Sequence, residues 1–229
     1  MKYIKNFLLF LILLFLFIFK DYFVIIPCSL LNIDINILSY STKVLLSIIA
    51  SSILIIITII IYRNYLKEKL IDFKKHIKEY FDFGLKYWIW GLIGMAVSNI
   101  LIGLFTTLDG ANNEKLVQEM LHSAPLLSFI SATIIAPFLE EILFRKSVYD
   151  MFHNKKLAIF MSGLIFGLLH VIFSMTKVTD LLYIIPYGML GYSFAYILHK
   201  KDNIFVPIMF HMIHNGVLTI LSIVLTVIK

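Results

Sequence analysis

The chain has 229 residues, of which 60% are hydrophobic and only 15% are charged, and its mean hydropathy is +0.92. Soluble domains carry about 25% charged residues, so this composition indicates an integral membrane protein without a separate soluble domain. The net charge of +6 does not indicate a nucleic-acid partner, because in membrane proteins the placement of Lys and Arg matters more than their sum. The single cysteine, Cys28, excludes an internal disulfide and a cysteine-rich metal site.

The first apolar stretch, residues 7–19, follows Lys2 and Lys5 and resembles the start of a signal peptide. No small-residue cleavage site follows it, so we predict a retained membrane helix. Six further stretches are long enough to cross the hydrocarbon. We therefore predict an all-α membrane protein of seven spans, or eight if residues 20–36 re-enter, in one integral domain with an N-terminal part, 1–124, and a C-terminal part, 125–229. The six stretches are residues 44–62, 87–108, 125–144, 157–175, 181–198 and 204–228.

Residues 63–86 form a strongly basic segment that holds seven Lys and Arg residues. Its apolar residues recur at spacings of three and four, which is typical of an amphipathic helix on the membrane surface. A solvated charged linker is the alternative, and a calmodulin-like partner helix is a weaker one. Residues 109–124 are predicted to form an acidic outer loop.

The placement of positive charge predicts the orientation of the chain. With the N-terminus inside, 15 of the Lys and Arg residues fall in inner segments and 5 in outer ones. Cytoplasmic loops retain positive charge, so we expect a multi-pass protein of a cell membrane, bacterial by its composition, whose N-terminus and basic segment are cytoplasmic.

Two adjacent carboxylates, Glu140 and Glu141, lie inside the predicted span 125–144. An ionisable group there costs about 2.5–3.5 kcal/mol on insertion scales, so it is retained only where it has partners or water. Arg145 lies four residues after Glu141, and the simplest interpretation of that pair is a salt bridge at a helix end. If Arg145 holds Glu141, then Glu140, about 100° round the helix, is free to face a cavity.

Later spans contain the polar residues His170, His211, His214 and Asn215. Each alone is more often an interhelical hydrogen-bond partner than a catalyst. His211 and Asn215 are four residues apart and share a helix face, which His214 could join. Taken with the carboxylates, the set supplies a base, its partners and hydrogen-bond donors, which are the groups needed to hydrolyse a carbonyl compound.

Three ordered motifs resemble the CPBP group, the CAAX-protease and bacteriocin-processing (Abi) family of intramembrane proteases. They are Glu140-Glu141-x-x-Phe144-Arg145, Phe166-x-x-x-His170 and His211-x-x-x-Asn215, within residues 125–216. The resemblance implies about eight helices around a polar cavity open to the cytoplasmic side. It implies hydrolysis of a hydrophobic or lipid-modified peptide near that face, with membrane lipids and a peptide or membrane-protein substrate as partners.

The resemblance also assigns roles to individual residues. Glu140 and His170 would activate a water, His211 and Asn215 would stabilise the oxyanion, and Glu141 and Arg145 would support the site. His214 leaves open which histidine of the last motif acts. No cofactor is expected, although Glu140, Glu141, His170 and His211 could instead bind a catalytic zinc. Against zinc, the helical HExxH signature is absent.

Two other classes of function remain open on the residues alone. One is a non-catalytic membrane partner or immunity protein whose polar residues only join helices. The other is a transporter that uses the carboxylates as a proton relay, for which no inverted repeat is visible.

The depths of the candidate residues impose a geometric condition. Glu140 lies about 7.5 Å, and His170 about 20 Å, from the inner ends of their predicted spans at 1.5 Å per residue. They cannot meet if both helices begin at one depth. We therefore predict that residues 145–151 continue the helix and that Arg145 is partly buried.

Overall fold

The computed structural model describes residues 1–106 and 110–228, and in these the chain is helical without strands. Short 3-10 turns lie at Ile35–Ile37 and Val178–Tyr183. The helices are α1 Lys2–Ile18, α2 Tyr22–Leu30, α3 Tyr40–Lys75, α4 Ile77–Phe105, α5 Asn112–Ser123, α6 Pro125–Met151, α7 Lys155–Ile172, α8 Ile184–Lys201 and α9 Phe205–Ile228.

The predicted all-α membrane architecture is confirmed. Six of the described helices are long and apolar enough to cross a membrane, and a seventh span results if α1 and α2, bent by 50°, count as one. The possible eighth span at residues 20–36 contains only the nine-residue α2 and a 3-10 turn, which are too short to cross separately. The predicted end of the third span, Leu108, lies outside the described residues.

Residues 63–86 are helical apart from His76, as the amphipathic pattern predicts, but they form neither a separate surface helix nor a linker. Helix α3 continues to Lys75 and α4 begins at Ile77, so the basic segment is the extension of two spanning helices that meet at His76. The reason is local: no Gly or Pro interrupts residues 40–75, so nothing stops the helix at the membrane boundary. Tertiary contacts also hold the extension, since the Asn203 side chain donates to the Lys69 carbonyl at 2.7 Å.

The predicted outer loop 109–124 is likewise mostly helical, as α5, while Asp109 lies outside the described residues. Helix α5 is amphipathic, with Leu121 buried and Lys115 and Glu119 exposed. It is attached to α6 by the Ser128 hydroxyl, which donates to the Met120 carbonyl at 2.8 Å. A short amphipathic helix of this kind is easily taken for a loop, because its polar face dominates the composition.

The N-terminal helix α1 packs against the rest of the bundle. Phe10 and Leu13 of α1 are buried. The Phe17 ring lies 5.6 Å from the Phe144 ring of α6, edge to face, and the Asn6 amide donates to the Asp150 carbonyl at 2.8 Å. Helix α1 therefore supports the helix that carries the two carboxylates.

Candidate active site

Helix α6 carries both carboxylates and contains two π-helical turns, at Ser131–Ile135 and Glu141–Ser147. Such turns are rare and occur often at functional sites. The second one includes Glu141 and Arg145, and the helix continues to Met151. The prediction that residues 145–151 are helical is confirmed, and Arg145 is fully buried rather than partly so.

Glu141, Arg145 and His211 form a buried chain of charged and polar groups. Arg145 Nη2 lies 3.1 Å from Glu141 Oε1, and His211 Nδ1 lies 2.8 Å from the same oxygen. The guanidinium also stacks 4.2 Å from the centre of the Phe166 ring, a cation–π contact. Each partner fixes the next, so Arg145 orients Glu141 and Glu141 orients His211.

Glu140 lies beside two imidazoles, those of His170 and His211. Its Oε2 lies 3.7 Å from His211 Nε2 and 3.9 Å from His170 Nε2. These distances are too long for direct hydrogen bonds, and a gap of this size between polar groups suits a bridging water. Glu140 thus occupies the cavity-facing position predicted for it, while Glu141 is held by Arg145.

The partners of the two imidazoles assign their tautomers. His170 Nδ1 lies 2.9 Å from the Phe166 carbonyl oxygen, and His211 Nδ1 faces the Glu141 carboxylate. Both partners accept hydrogen bonds, so the proton of each neutral ring belongs on Nδ1 and Nε2 carries a lone pair. His211 can therefore donate to an oxyanion only when both of its nitrogens carry protons.

The two residues of the last motif, His211 and Asn215, lie on α9 and have different partners. His211 lies within 4 Å of both carboxylates, while His214 lines the same cavity without such a contact. The Asn215 amide donates to the Ala132 carbonyl at 2.8 Å, inside the first π-helical turn. Asn215 also lines the cavity, so one amide proton holds the helix and the second is available to a substrate.

A cavity of about 940 Å³ is lined by several of the candidate residues, whereas Glu141 and Arg145 are buried behind its wall. From Glu140 it extends along α6 and α9 toward α5, whose Glu114 also faces it. The cavity falls within the size range of ligand pockets. Its wall includes Glu140, His170, His211, Asn215, Ser131, Ala136, Gln118, Leu218 and Tyr187.

Sequence reasoning did not identify two aromatic residues that shape this site. The Tyr187 ring lies 4.8 Å from the His170 ring, and the Phe194 ring lies 5.3 Å from the His211 ring. Both belong to α8, which carries no part of the three motifs. Aromatic residues are common throughout this chain, so nothing in the sequence distinguished these two.

The residues named for a zinc site do not fit one as they are placed. Glu141 Oε1 is engaged by Arg145 and His211, and His211 Nδ1 is engaged by Glu141. In the part of the chain that the structure describes, no three His, Cys, Asp or Glu side chains are arranged to hold a metal ion. A zinc ion would require the buried Glu141 to leave its partners.

Comparison with known proteins confirms the resemblance to the CPBP group. Residues 122–217 match the model of the family described as "Type II CAAX prenyl endopeptidase Rce1-like". The chain is 25% identical to "Putative membrane peptidase YdiL" of Bacillus subtilis (strain 168), over 77% of this chain and 70% of that protein. It is 26% identical to "UPF0177 protein YxdF" of Lactococcus lactis subsp. lactis (strain IL1403), over 66% of this chain and 81% of that protein. No solved structure matches it significantly.

Proposed function

We propose that the chain is an intramembrane endopeptidase of the CPBP group acting on a hydrophobic or lipid-modified peptide, a proposal supported by the match of residues 122–217 to the Rce1-like family model. The observation that supports this best is the convergence of Glu140, His170 and His211 at the end of a cavity. A helix-packing role would not need a solvent-accessible carboxylate between two imidazole lone pairs.

In the proposed reaction, a water lies to the cavity side of Glu140 Oε2 and His170 Nε2, within hydrogen-bond distance of both atoms. Glu140 takes one of its protons as the oxygen attacks the carbonyl carbon of the scissile bond. The C–N bond then breaks, the released amine receives the proton, and the new carboxyl group leaves with the water oxygen. General acid–base catalysis by a positioned carboxylate contributes about 10²–10⁴-fold to such a step.

The oxyanion of the intermediate would be stabilised by His211 in its doubly protonated form and by the second amide proton of Asn215. Each donor of this kind typically lowers the barrier by about 2.7–4 kcal/mol. Glu141 and Arg145 do not touch the substrate in this scheme; they are positioning residues that set the orientation and tautomer of His211. We propose that the chemistry is metal-free, since the described side chains do not form a metal site.

The test compares membrane-associated and released peptides, by mass spectrometry, in cells that express the wild-type protein or Glu140→Gln at matched levels. We expect a product that falls by at least about 10²-fold in Glu140→Gln and in His170→Ala. Glu68→Gln, which neutralises an exposed carboxylate at the far end of the bundle, is the matched control and should retain the product. Product formation in isolated membranes should also survive a metal chelator.

Identical peptide profiles in wild type and Glu140→Gln, with phenotype unchanged, would contradict the proposal. That result would favour a non-catalytic membrane partner or immunity protein, in which the polar residues only join helices. Loss of the product on chelation alone would retain the peptidase and reject the metal-free mechanism.

A further inference from the structure

The bundle has two ends that differ sharply in charge. Helix α4 has 29 residues and is therefore about 43 Å long, and it separates the hairpin at His76 from α5. We call the hairpin side the basic end, because it holds 14 of the chain's 20 Lys and Arg residues, whereas Lys20, Lys43, Lys115 and Lys177 lie at the opposite, α5 end. The 14 are Lys2, Lys5, Arg63, Lys67, Lys69, Lys74, Lys75, Lys78, Lys86, Lys146, Lys155, Lys156, Lys200 and Lys201.

The site is closed toward the basic end. On α6, every residue from Glu141 to Arg145 is at most 3% exposed, and Arg145 itself fills the space behind Glu141. On the basic-end side of Arg145, the hydroxyls of Tyr62 and Ser147 lie 2.9 Å apart and join α3 to α6. The apolar residues of this floor have no exposed surface: Ile142, Val148, Phe194, Ile197, Ile204, Val206 and Phe210.

The cavity runs in the other direction. The α6 residues that line it, Ser128, Ser131, Ala132, Ala136 and Glu140, all lie on the α5 side of the second π-helical turn. On α9 the lining continues from His211 through Leu218 to Ser222, again away from the basic end. The cavity therefore extends from Glu140 toward α5 without passing the floor.

Helix α5 forms the far wall of the cavity and its mouth. Its exposed residues Glu114, Gln118 and His122 line the cavity, so water reaches it there. The start of α5 is attached beside His170 by the Asn112 amide, which donates to Asp180 at 3.1 Å. The mouth thus lies at the end of α7 that carries His170.

We infer that substrate reaches Glu140 from the α5 end, beneath helix α5. Because the strongly basic end of a multi-pass protein is retained in the cytoplasm, the mouth opens on the outer face of the membrane. The substrates would then be hydrophobic peptides or membrane-protein segments presented after export, which differs from the cytoplasmic opening that the resemblance implies. The identity of the substrate rests on the proposed peptidase function, but the position of the mouth does not depend on activity.

Accessibility of single cysteines tests the mouth directly. The only cysteine is removed as Cys28→Ser, and three reporters are introduced singly: Glu119→Cys on the exposed face of α5, Ser131→Cys inside the cavity, and Lys74→Cys at the basic end. Intact cells are treated with a sulphonated, membrane-impermeant maleimide, with and without permeabilisation. Detergent-extracted protein, which must elute as a single folded species, controls for folding.

We expect Glu119→Cys and Ser131→Cys to react in intact cells, and Lys74→Cys to react at least tenfold more after permeabilisation. The reverse pattern would overturn the orientation. Labelling of Glu119→Cys but of neither Ser131→Cys nor Lys74→Cys in intact cells would overturn the continuity of the cavity with the outer face. Either result leaves the Glu140→Gln comparison unaffected. A wrong position of the mouth can therefore be distinguished from the absence of peptidase activity.

Discussion

The guanidinium of Arg145 lies wholly inside the bundle, between the Phe166 ring at 4.2 Å and the Glu141 carboxylate at 3.1 Å. A cation removed from water in this way is costly even when paired, unless hydrogen bonds satisfy its other donors. Arg145 is paired with Glu141 and stacked on Phe166, which suits a planar guanidinium better than an ammonium. Its Nε and Nη1 have no hydrogen-bond partner among the described residues. Arg145 therefore stabilises the site by holding a buried negative charge next to His211.

Replacement of Arg145 by methionine should destabilise the protein by about 3–5 kcal/mol, because it leaves Glu141 buried without its cation. Thermal unfolding in detergent measures this. The double variant Arg145→Met/Glu141→Gln, which removes both charges, should recover part of the loss. Arg145→Lys keeps the charge without the stacking plane and should fall between wild type and Arg145→Met. An Arg145→Met variant as stable as the wild type would contradict the stabilising pairing of Arg145 with Glu141.

Asn215 combines a helix-packing hydrogen bond with a position in the cavity wall. Its amide donates to the carbonyl of Ala132, a group inside a π-helical turn. Ser162 of α7 donates in the same way to the Phe144 carbonyl at 2.6 Å. These side chains bond backbone carbonyls along α6, and thereby hold the carboxylate-bearing helix at a defined rotation.

The crossing of helices α7 and α8 sets the position of His170. Two glycines of α7, Gly163 and Gly167, lie against the backbone of α8, as small residues do where membrane helices approach closely. A Cβ at Gly167 would lie 2.5 Å from the Ile184 carbonyl oxygen, and one at Gly163 would lie 2.8 Å from the Gly188 oxygen. Backbone atoms cannot rotate away as a side chain can, so any added carbon must separate the helices.

Gly167→Ala should therefore cost about 1–3 kcal/mol and lower peptidase activity, since His170 lies three residues further along the same helix. Gly103→Ala is the matched control, because a Cβ there meets nothing within 4 Å. In that exposed helix position, alanine should be neutral or raise stability by up to about 1 kcal/mol. Thermal unfolding and product formation are measured for both. Equal behaviour of the two variants would show that the crossing is not tight.

The predicted boundary between residues 1–124 and 125–229 runs through a single packed unit. Gly91 of α4 contacts Ser193 of α8 so closely that a Cβ would lie 2.8 Å from the serine Cβ. The Ser193 hydroxyl donates to the Tyr87 carbonyl at 2.5 Å. Together with the packing of α1 against α6, these contacts place helices of residues 1–124 around the candidate site in residues 125–229.

Residues 125–229 expressed alone should fail to give a folded, protease-resistant species, because α8 and α6 would expose the surfaces that α4 and α1 cover. Coexpression with residues 1–124 as a separate chain should restore resistance to limited proteolysis in membranes. The intact chain, digested in parallel, is the reference. A C-terminal fragment that is resistant without its partner would show that the two parts fold independently.

The amino-acid sequence alone predicted the class of protein, the approximate number of spans and the group of residues at the site. These follow from local properties: the length of an apolar run decides whether it can cross a membrane, and an ionisable residue within such a run needs a partner. The prediction that Glu141 pairs with Arg145 while Glu140 faces the cavity also needed only the geometry of one helix.

Only the tertiary structure decided which histidine meets the carboxylates, how deeply Arg145 lies and where the cavity leads. His211 and His214 differ only by helix rotation, which depends on packing against α6. Residues 63–86 were predicted to form a helix on the membrane surface, whereas they extend two spanning helices. Helix α5 was taken for a loop, because its polar face dominates the composition. The closed floor and the mouth at α5 arise from the offsets and tilts of seven helices, and no local pattern in the chain encodes those.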